Sequence, residues 1–321
     1  MVKTKSSGLS NHTSSKIPWN DLALIAVCFI WGINFSVIKI SLVYFDPLAF
    51  NAVRFPMAAL VLLAMLKLKG PIPVPKPEHY VKIILLGILG NIVYQLLFIY
   101  GIDKTLAGNS SLLLATVPIW TLLLATTLNK ERHGTAVWSG IVITLIGIFF
   151  VVSGNERNFS LTEEPPVGDL LVLTAAITWA LYTVGSQNLA REYGALPVTA
   201  WTLCIATPGL MLFGLPSLWS MDLKNVPVLS WVGVCYAGVM ALAVSYYFWN
   251  YSLEKIGAPR TAAFSNLVPV IALGVALIWL GEIPSKPQLI GTGVILVGLW
   301  LTRQGNSQHS KTSRTTKLDE S

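Results

Sequence analysis

The sequence predicts an all-α integral membrane protein of ten transmembrane helices, arranged as two inverted five-helix repeats. Three observations predict it. Only 12% of the 321 residues are charged and 54% are apolar, whereas a soluble domain carries about 25% charged residues. The charges sit in short islands separated by ten apolar stretches, each near the roughly 20 residues that cross a bilayer. The chain also matches itself when slid by 151 positions.

Proline, glycine and charge delimit the elements in order. Helix one spans 20–40 and carries Lys39 near its outer end; helix two, 47–68, opens at Pro47 and carries Arg54 within it. Helix three, 81–101, carries Lys82 in its first turn and stops before Asp103, helix four, 106–128, stops before Lys130, and helix five, 135–153, stops before Gly154. In the second half the spans are 168–188, 196–215, 228–251, 258–280 and 287–303, bounded by Pro197, Pro216, Pro227, Gly257, Gly281, Pro287 and Arg303. Most of these segments are apolar all round, as bilayer spans are and surface helices are not. The domain reading is a tail over 1–19, a first repeat over 20–153, an external linker over 154–167, a second repeat over 168–303 and a tail over 304–321.

The net charge of +7 and pI near 9.3 do not imply a nucleic-acid partner, because a basic groove needs clustered cations beside exposed aromatics. They track topology instead. With the N-terminus inside, sixteen of the 22 Lys and Arg fall on inner segments, four on outer loops, and Lys39 and Arg54 within helices. Positive charge is retained on the cytoplasmic side, so both termini are expected there, in a bacterial inner or plasma membrane. The polar start lacks the apolar core of a signal peptide. Cys28, Cys204 and Cys235 fall within helices and read as apolar filler. No metal-ligand spacing is present and no cofactor is expected.

Under the slide, Tyr100 meets Tyr251, Asp103 meets Glu254, Pro118 meets Pro269, Glu131 meets Glu282, Gly140 meets Gly291 and Gly147 meets Gly298. A slide of 148 puts Trp31 on Trp179. Five helices per repeat is an odd number, so the second copy enters the bilayer in the opposite sense. That inverted arrangement encloses a midplane site in alternating-access carriers.

The residues Trp31-Gly32 with Asn34, Phe35 and Lys39, Pro47 before Arg54, and Pro118 followed by Glu131, Gly140 and Gly147 resemble the drug/metabolite transporter superfamily, and within it the ten-helix EamA-type family. The resemblance spans roughly residues 20–303. It implies transport of small organic solutes, with export of amino acids or related metabolites as the expected activity. Uptake, or carriage of a drug or nucleotide-sugar-like solute on the same fold, stays open. Where Ala180 stands for Gly32 and Gln187 for Lys39, the halves differ, and an asymmetric substrate site is expected.

Candidate pathway residues follow from helical faces. Asn91, Tyr94, Gln95 and Phe98 are spaced to share one face of helix three, and Leu242, Ser245, Tyr246 and Trp249 occupy the matching positions of helix eight, with Asn250 adjoining. Helix one offers Trp31, Asn34 and Phe35, and helix six offers Trp179, Tyr182, Thr183 and Ser186. Polar groups in hydrocarbon need partners or water, so these faces should turn inward. Interface anchoring accounts for Tyr100, Tyr251 and Trp300 near helix ends, and helix-to-helix bonding is the other reading for the deeper polar groups. Pro118 and Pro269 remove a backbone donor at matched places, and Ser265 and Asn266 lie one turn before Pro269. Interrupted helices at corresponding positions point toward a binding site.

The paired glycines permit close helix contact, within the protomer or in a homodimer. Glu131 and Glu282, at ends of helices four and nine, read as gates or salt-bridge partners. Lys39 and Arg54 must pair, face water or reach out to the headgroups. Lys39 could instead attract a substrate carboxylate or shape the outer gate. No Asp, Glu or His lies mid-helix, so facilitated or exchange transport is expected, or coupling through a helix end. A membrane enzyme would need a nucleophile with a base, or a metal cluster, and neither pattern is present. A membrane scaffold would give no reason for polar inverted faces. The expected partners are a small-molecule solute and the lipid bilayer.

Overall fold

The computed structural model describes residues 19–129, 135–153, 167–298 and 300–301. The tails, the linker over 154–166 and Glu131 lie outside the described residues. Among those described there are ten helices and no strand, and eight of the helices are long and apolar enough to cross a membrane.

Helix α1 (Trp19–Ser41) carries Asp21 in its first turn and Lys39 in its last, each matched to the helix dipole. Helix α2 (Pro47–Lys69) starts from Asp46, whose carboxylate accepts from the N–H groups of Leu48 and Ala49 at 2.8 and 3.3 Å, with Pro47 pre-set for the first turn. Helix α3 (Pro77–Lys104) contains a π-helical segment, Ile88–Val93. Helix α4 is broken into Ala107–Leu114 and Val117–Asn129, and α5 covers Thr135–Ser153. In the second half, α6 runs Val167–Tyr193 and α7 Ala195–Ser220. Helix α8 (Val228–Ile256) has its own π segment, Tyr236–Val244. Helix α9 (Ala258–Leu280) narrows to a 3-10 turn at Ser265–Leu267, and α10 covers 286–298. Several helices run three to five residues past the sequence-predicted ends, because charge marks where hydrocarbon stops and leaves the backbone free to continue helically.

The packing is two-fold. α2 lies along its repeat mate α7; α1 on α9 is mirrored by α6 on α4; α3 on α6 is mirrored by α8 on α1; and α2 on α8 is mirrored by α7 on α3. The matched glycines make the same point. A Cβ on Gly291 would stand 2.7 Å from the Gly147 carbonyl, and one on Gly298 would stand 2.7 Å from the Gly140 carbonyl. These glycines therefore seat α5 against α10 inside one chain. Large apolar side chains such as Leu60, Phe213, Ile278 and Trp279 stay exposed on the outside of the bundle. In water such a surface would be an aggregation liability; against lipid it costs nothing.

Candidate functional site

Residues related by a two-fold axis can touch their own mates only on that axis. Two pairs of mates do so in the middle of the bundle. Gln95 Nε2 donates to the Tyr246 hydroxyl at 2.8 Å across a separation of 151 residues, and Trp31 meets Trp179 edge to face at 5.9 Å between ring centres. The cavity beside them is therefore on the pseudo-symmetry axis, shared by both halves.

That cavity is lined by Trp31, Asn34, Phe35, Arg54, Tyr94, Gln95, Phe98, Trp179, Tyr246 and Ser265 from the sequence-predicted set. The space open to the centre of a water-sized sphere is about 60 Å³, room for roughly four to six waters. Its walls are a continuous aromatic cluster. Trp179 lies 4.8 Å from Tyr246 and 4.9 Å from Tyr94, Tyr94 stacks on Phe98 at 5.8 Å, and Phe98 meets Phe35 at 5.7 Å. Ring pairs at these separations add to simple apolar burial, so the walls hold their shape.

Behind the walls sits a second belt of predicted residues that do not line the cavity. Trp249 Nε1 donates to Thr183 Oγ1 at 3.3 Å, and Asn250 Nδ2 donates to the Tyr182 hydroxyl at 3.0 Å. Ser245 Oγ donates to the Met240 carbonyl at 2.9 Å, five residues back, a carbonyl at the wide π spacing. Asn91 is fully buried with both amide atoms unpartnered. The expectation that Asn91 shares a face with Tyr94, Gln95 and Phe98 assumed 3.6 residues per turn. Asn91 lies within the π segment, where the turn is wider, and it stands outside the cavity lining. Both π segments end at matched positions, Val93 and Val244. Asn266 also stands outside the lining, whereas its mate Ala115 is in it.

Six lining residues were not singled out from the sequence: Ser111, Leu114, Ala115, Val117, Ala241 and Val268. Leu114 is the mate of Ser265, and Val117 the mate of Val268, which also lines the cavity; the 151-residue slide carried that signal. Pro118 and Pro269 sit in the first turn of helical segments that restart beyond the breaks. At the second break the Ser265 carbonyl does find a donor, because the Val268 N–H closes a 3-10 turn onto it.

Neither intramembrane cation reaches out to headgroups. Lys39 Nζ donates to the carbonyls of Ile102, Asp103 and Thr105 at 2.9, 2.9 and 2.7 Å, which uses all three ammonium donors on the C-terminal end of α3. Arg54 is 1% exposed. Its Nε donates to Asn51 Oδ1 at 2.8 Å, its Nη2 to Gln95 Oε1 at 2.6 Å, and Phe50 and Phe55 flank it at 4.9 and 5.9 Å. It turns inward because Asn51, one turn earlier on the same helix, and Gln95, on α3, supply acceptors there. Gln95 is thereby committed through both ends of its amide, as a bridge between Arg54 and Tyr246.

At the Lys39 end, Glu282 accepts from the Ala107 and Gly108 N–H groups at 3.0 Å each. The left-handed Gly281 (φ +66°) turns the chain after α9 so that this carboxylate caps the N-terminus of α4. Thr105 Oγ1 donates to the buried carboxylate of Asp169 alongside. At the other end Gln187, which stands where the first repeat has Lys39, accepts from the Ala258 N–H at 3.0 Å. At this pair of matched positions the chemistry differs, an ammonium in the first repeat and an amide in the second.

Comparison with known proteins agrees with this architecture. An uncharacterized transporter of Bacillus subtilis, YyaM, is 28% identical, with 88% of this chain and 93% of that protein covered. A probable terminal-alkyne amino-acid exporter of Streptantibioticus cattleyicolor is 27% identical, with 89% and 93% covered. A solved crystal structure superposes with a TM-score of 0.69 at 18% identity, covering 90% of this chain and 98% of its own, which speaks to the fold. The model of the EamA-like transporter family matches residues 18–153 and again 166–304. With each half matched once and nearly the whole chain covered by one family, this integral membrane protein belongs to the EamA-like transporter family.

Proposed function

We propose that the protein moves small organic solutes across a bacterial plasma membrane by alternating access, and that its cargo is amino acids or related metabolites carried outward. The observation that carries this reading is the aromatic cavity on the pseudo-two-fold axis, where Gln95 meets Tyr246 and Trp31 meets Trp179. A site on the axis touches both halves, so rocking one half against the other opens it first to one side and then to the other. The name of the Streptantibioticus relative supports the amino-acid reading. The cavity in its present form holds only a few waters, so solute entry requires the rings to part.

In this scheme both termini are cytoplasmic and the Lys39 and Glu282 end is the outer gate, with Glu131 as the inner counterpart of Glu282. Coupling runs by exchange or by a helix-end carboxylate. Asp169, buried at the start of α6, is such a group. The test is counterflow of labelled amino acids in proteoliposomes. Gln95→Ala and Tyr246→Ala should each reduce flux at unchanged membrane expression; unchanged flux in both removes them from the site. A strict need for a pH gradient that survives Asp169→Asn and Glu282→Gln would overturn the coupling scheme.

A further inference from the structure

Arg54 is the one charged side chain among the described residues that line the central cavity. A guanidinium buried to 1% exposure is costly unless an anion pairs with it. Among the described residues no carboxylate lies within ion-pair distance of it. Its partners are neutral: the Asn51 and Gln95 carbonyl oxygens take one hydrogen each from Nε and Nη2, and two phenyl rings face it. Of five guanidinium N–H groups, that leaves both on Nη1 and one on Nη2 uncommitted. Asn51 and Gln95 hold the plane of the group fixed, and a fixed guanidinium with one edge open is the shape that a two-oxygen anion docks on. A second unpartnered group lines the same cavity. Asn34 is 7% exposed and its Oδ1 has no hydrogen-bond partner, so one cavity is lined by both an unpartnered acceptor and the cation.

We propose that Arg54 seats the carboxylate of the solute, that Asn34 Oδ1 accepts from its ammonium where it has one, and that the aromatic walls take an apolar side chain. This deepens the reading of the cavity as the solute site and rests on it. The cavity then selects amphiphilic carboxylates and rejects cationic amines of the same skeleton, because an amine would meet the buried guanidinium with no counter-charge between them.

The test is ligand-dependent thermal stabilisation of the purified full chain in detergent, titrated to an apparent Kd. The probes are L-leucine and L-phenylalanine, their deaminated acids, their carboxamides and their decarboxylated amines. In the native protein the carboxylates should bind roughly 10- to 100-fold tighter than the matching amides and amines, the span expected when a charged hydrogen-bond partner is removed. Arg54→Gln should remove that preference and Arg54→Lys should keep part of it. If the deaminated acids bind through Arg54 and the amino acids do not, the carboxylate seat stands and the amino-acid reading falls. If the amino acids bind as well as their amides, or bind Arg54→Gln unchanged, the seat is wrong and the amino-acid reading stands. Absence of binding by every probe overturns both. Should Arg54→Gln fail to fold, the comparison of acid with amide on the native chain decides alone.

Discussion

Two glycines on α10, two residues apart, provide a matched test of how the halves are joined. A Cβ on Gly291 would stand 2.7 Å from the Gly147 carbonyl oxygen and 2.8 and 2.9 Å from Val151, whereas a Cβ on Gly293 meets nothing within 4 Å. Ordinary contact begins near 3.4 Å, so Gly291→Ala is short by about 0.7 Å against backbone, which cannot rotate aside as a side chain can. The α5 and α10 helices must separate, and overpacking of that kind costs about 1–3 kcal/mol. Gly293→Ala suffers no such clash and gains up to about 1 kcal/mol from the better helix former. The two variants should therefore melt on opposite sides of the native protein in detergent, by a few degrees each, when the folded monodisperse fraction is followed after heating. A Gly291→Ala melting point at or above native, or an equal fall for Gly293→Ala, would refute the claim that matched glycines seat these helices together.

Other consequences concern the cavity and its ends. Tyr246→Phe deletes only the hydroxyl that Gln95 bonds at 2.8 Å, so it should lower counterflow by roughly five-fold, the worth of about 1 kcal/mol; native-level flux would make that bond incidental. Glu282→Gln keeps one acceptor of the two that hold the Ala107 and Gly108 N–H groups and loses the charge at a helix N-terminus, a deficit of about 1–2 kcal/mol. Faster hydrogen exchange at those two amides is the expected readout, and unchanged protection counts against the cap. Lys39→Met strips the donors from three carbonyls at the end of α3 and should lower the melting point, with exchange loosened at 102–105; a surface-like tolerance of Met there would show the contacts to be idle.

Much of the fold was legible because its physics is local. A bilayer admits only long apolar segments whose backbone bonds close within themselves, so the runs between Lys39 and Arg303 could be read as helices one by one. The inverted repeat was legible because Pro118, Glu282, Gly291 and Trp179 recur at a nearly constant offset. The site was half legible for the same reason. Helical spacing located Trp31, Asn34, Phe35, Tyr94, Gln95 and Phe98, all of which line the cavity. It put Asn91 on the same face, whereas Asn91 stands outside the lining, within a π turn that leaves no trace in a 3.6-residue pattern.

The sequence by itself determined the membrane setting, the number and order of helices, their pairing into two halves and the aromatic character of the inner faces, since each depends on composition or on spacing along the chain. Only the tertiary structure decided that Arg54 turns inward onto Asn51 and Gln95 and not out to the headgroups, that Lys39 closes the end of α3, and that Gln95 and Tyr246 meet on the axis. Those outcomes depend on which acceptor lies across a helix boundary at under 3 Å. A long cationic side chain near a helix end has several such destinations, and the spacing of residues along one helix carries no information about the side chains that a neighbouring helix presents to it.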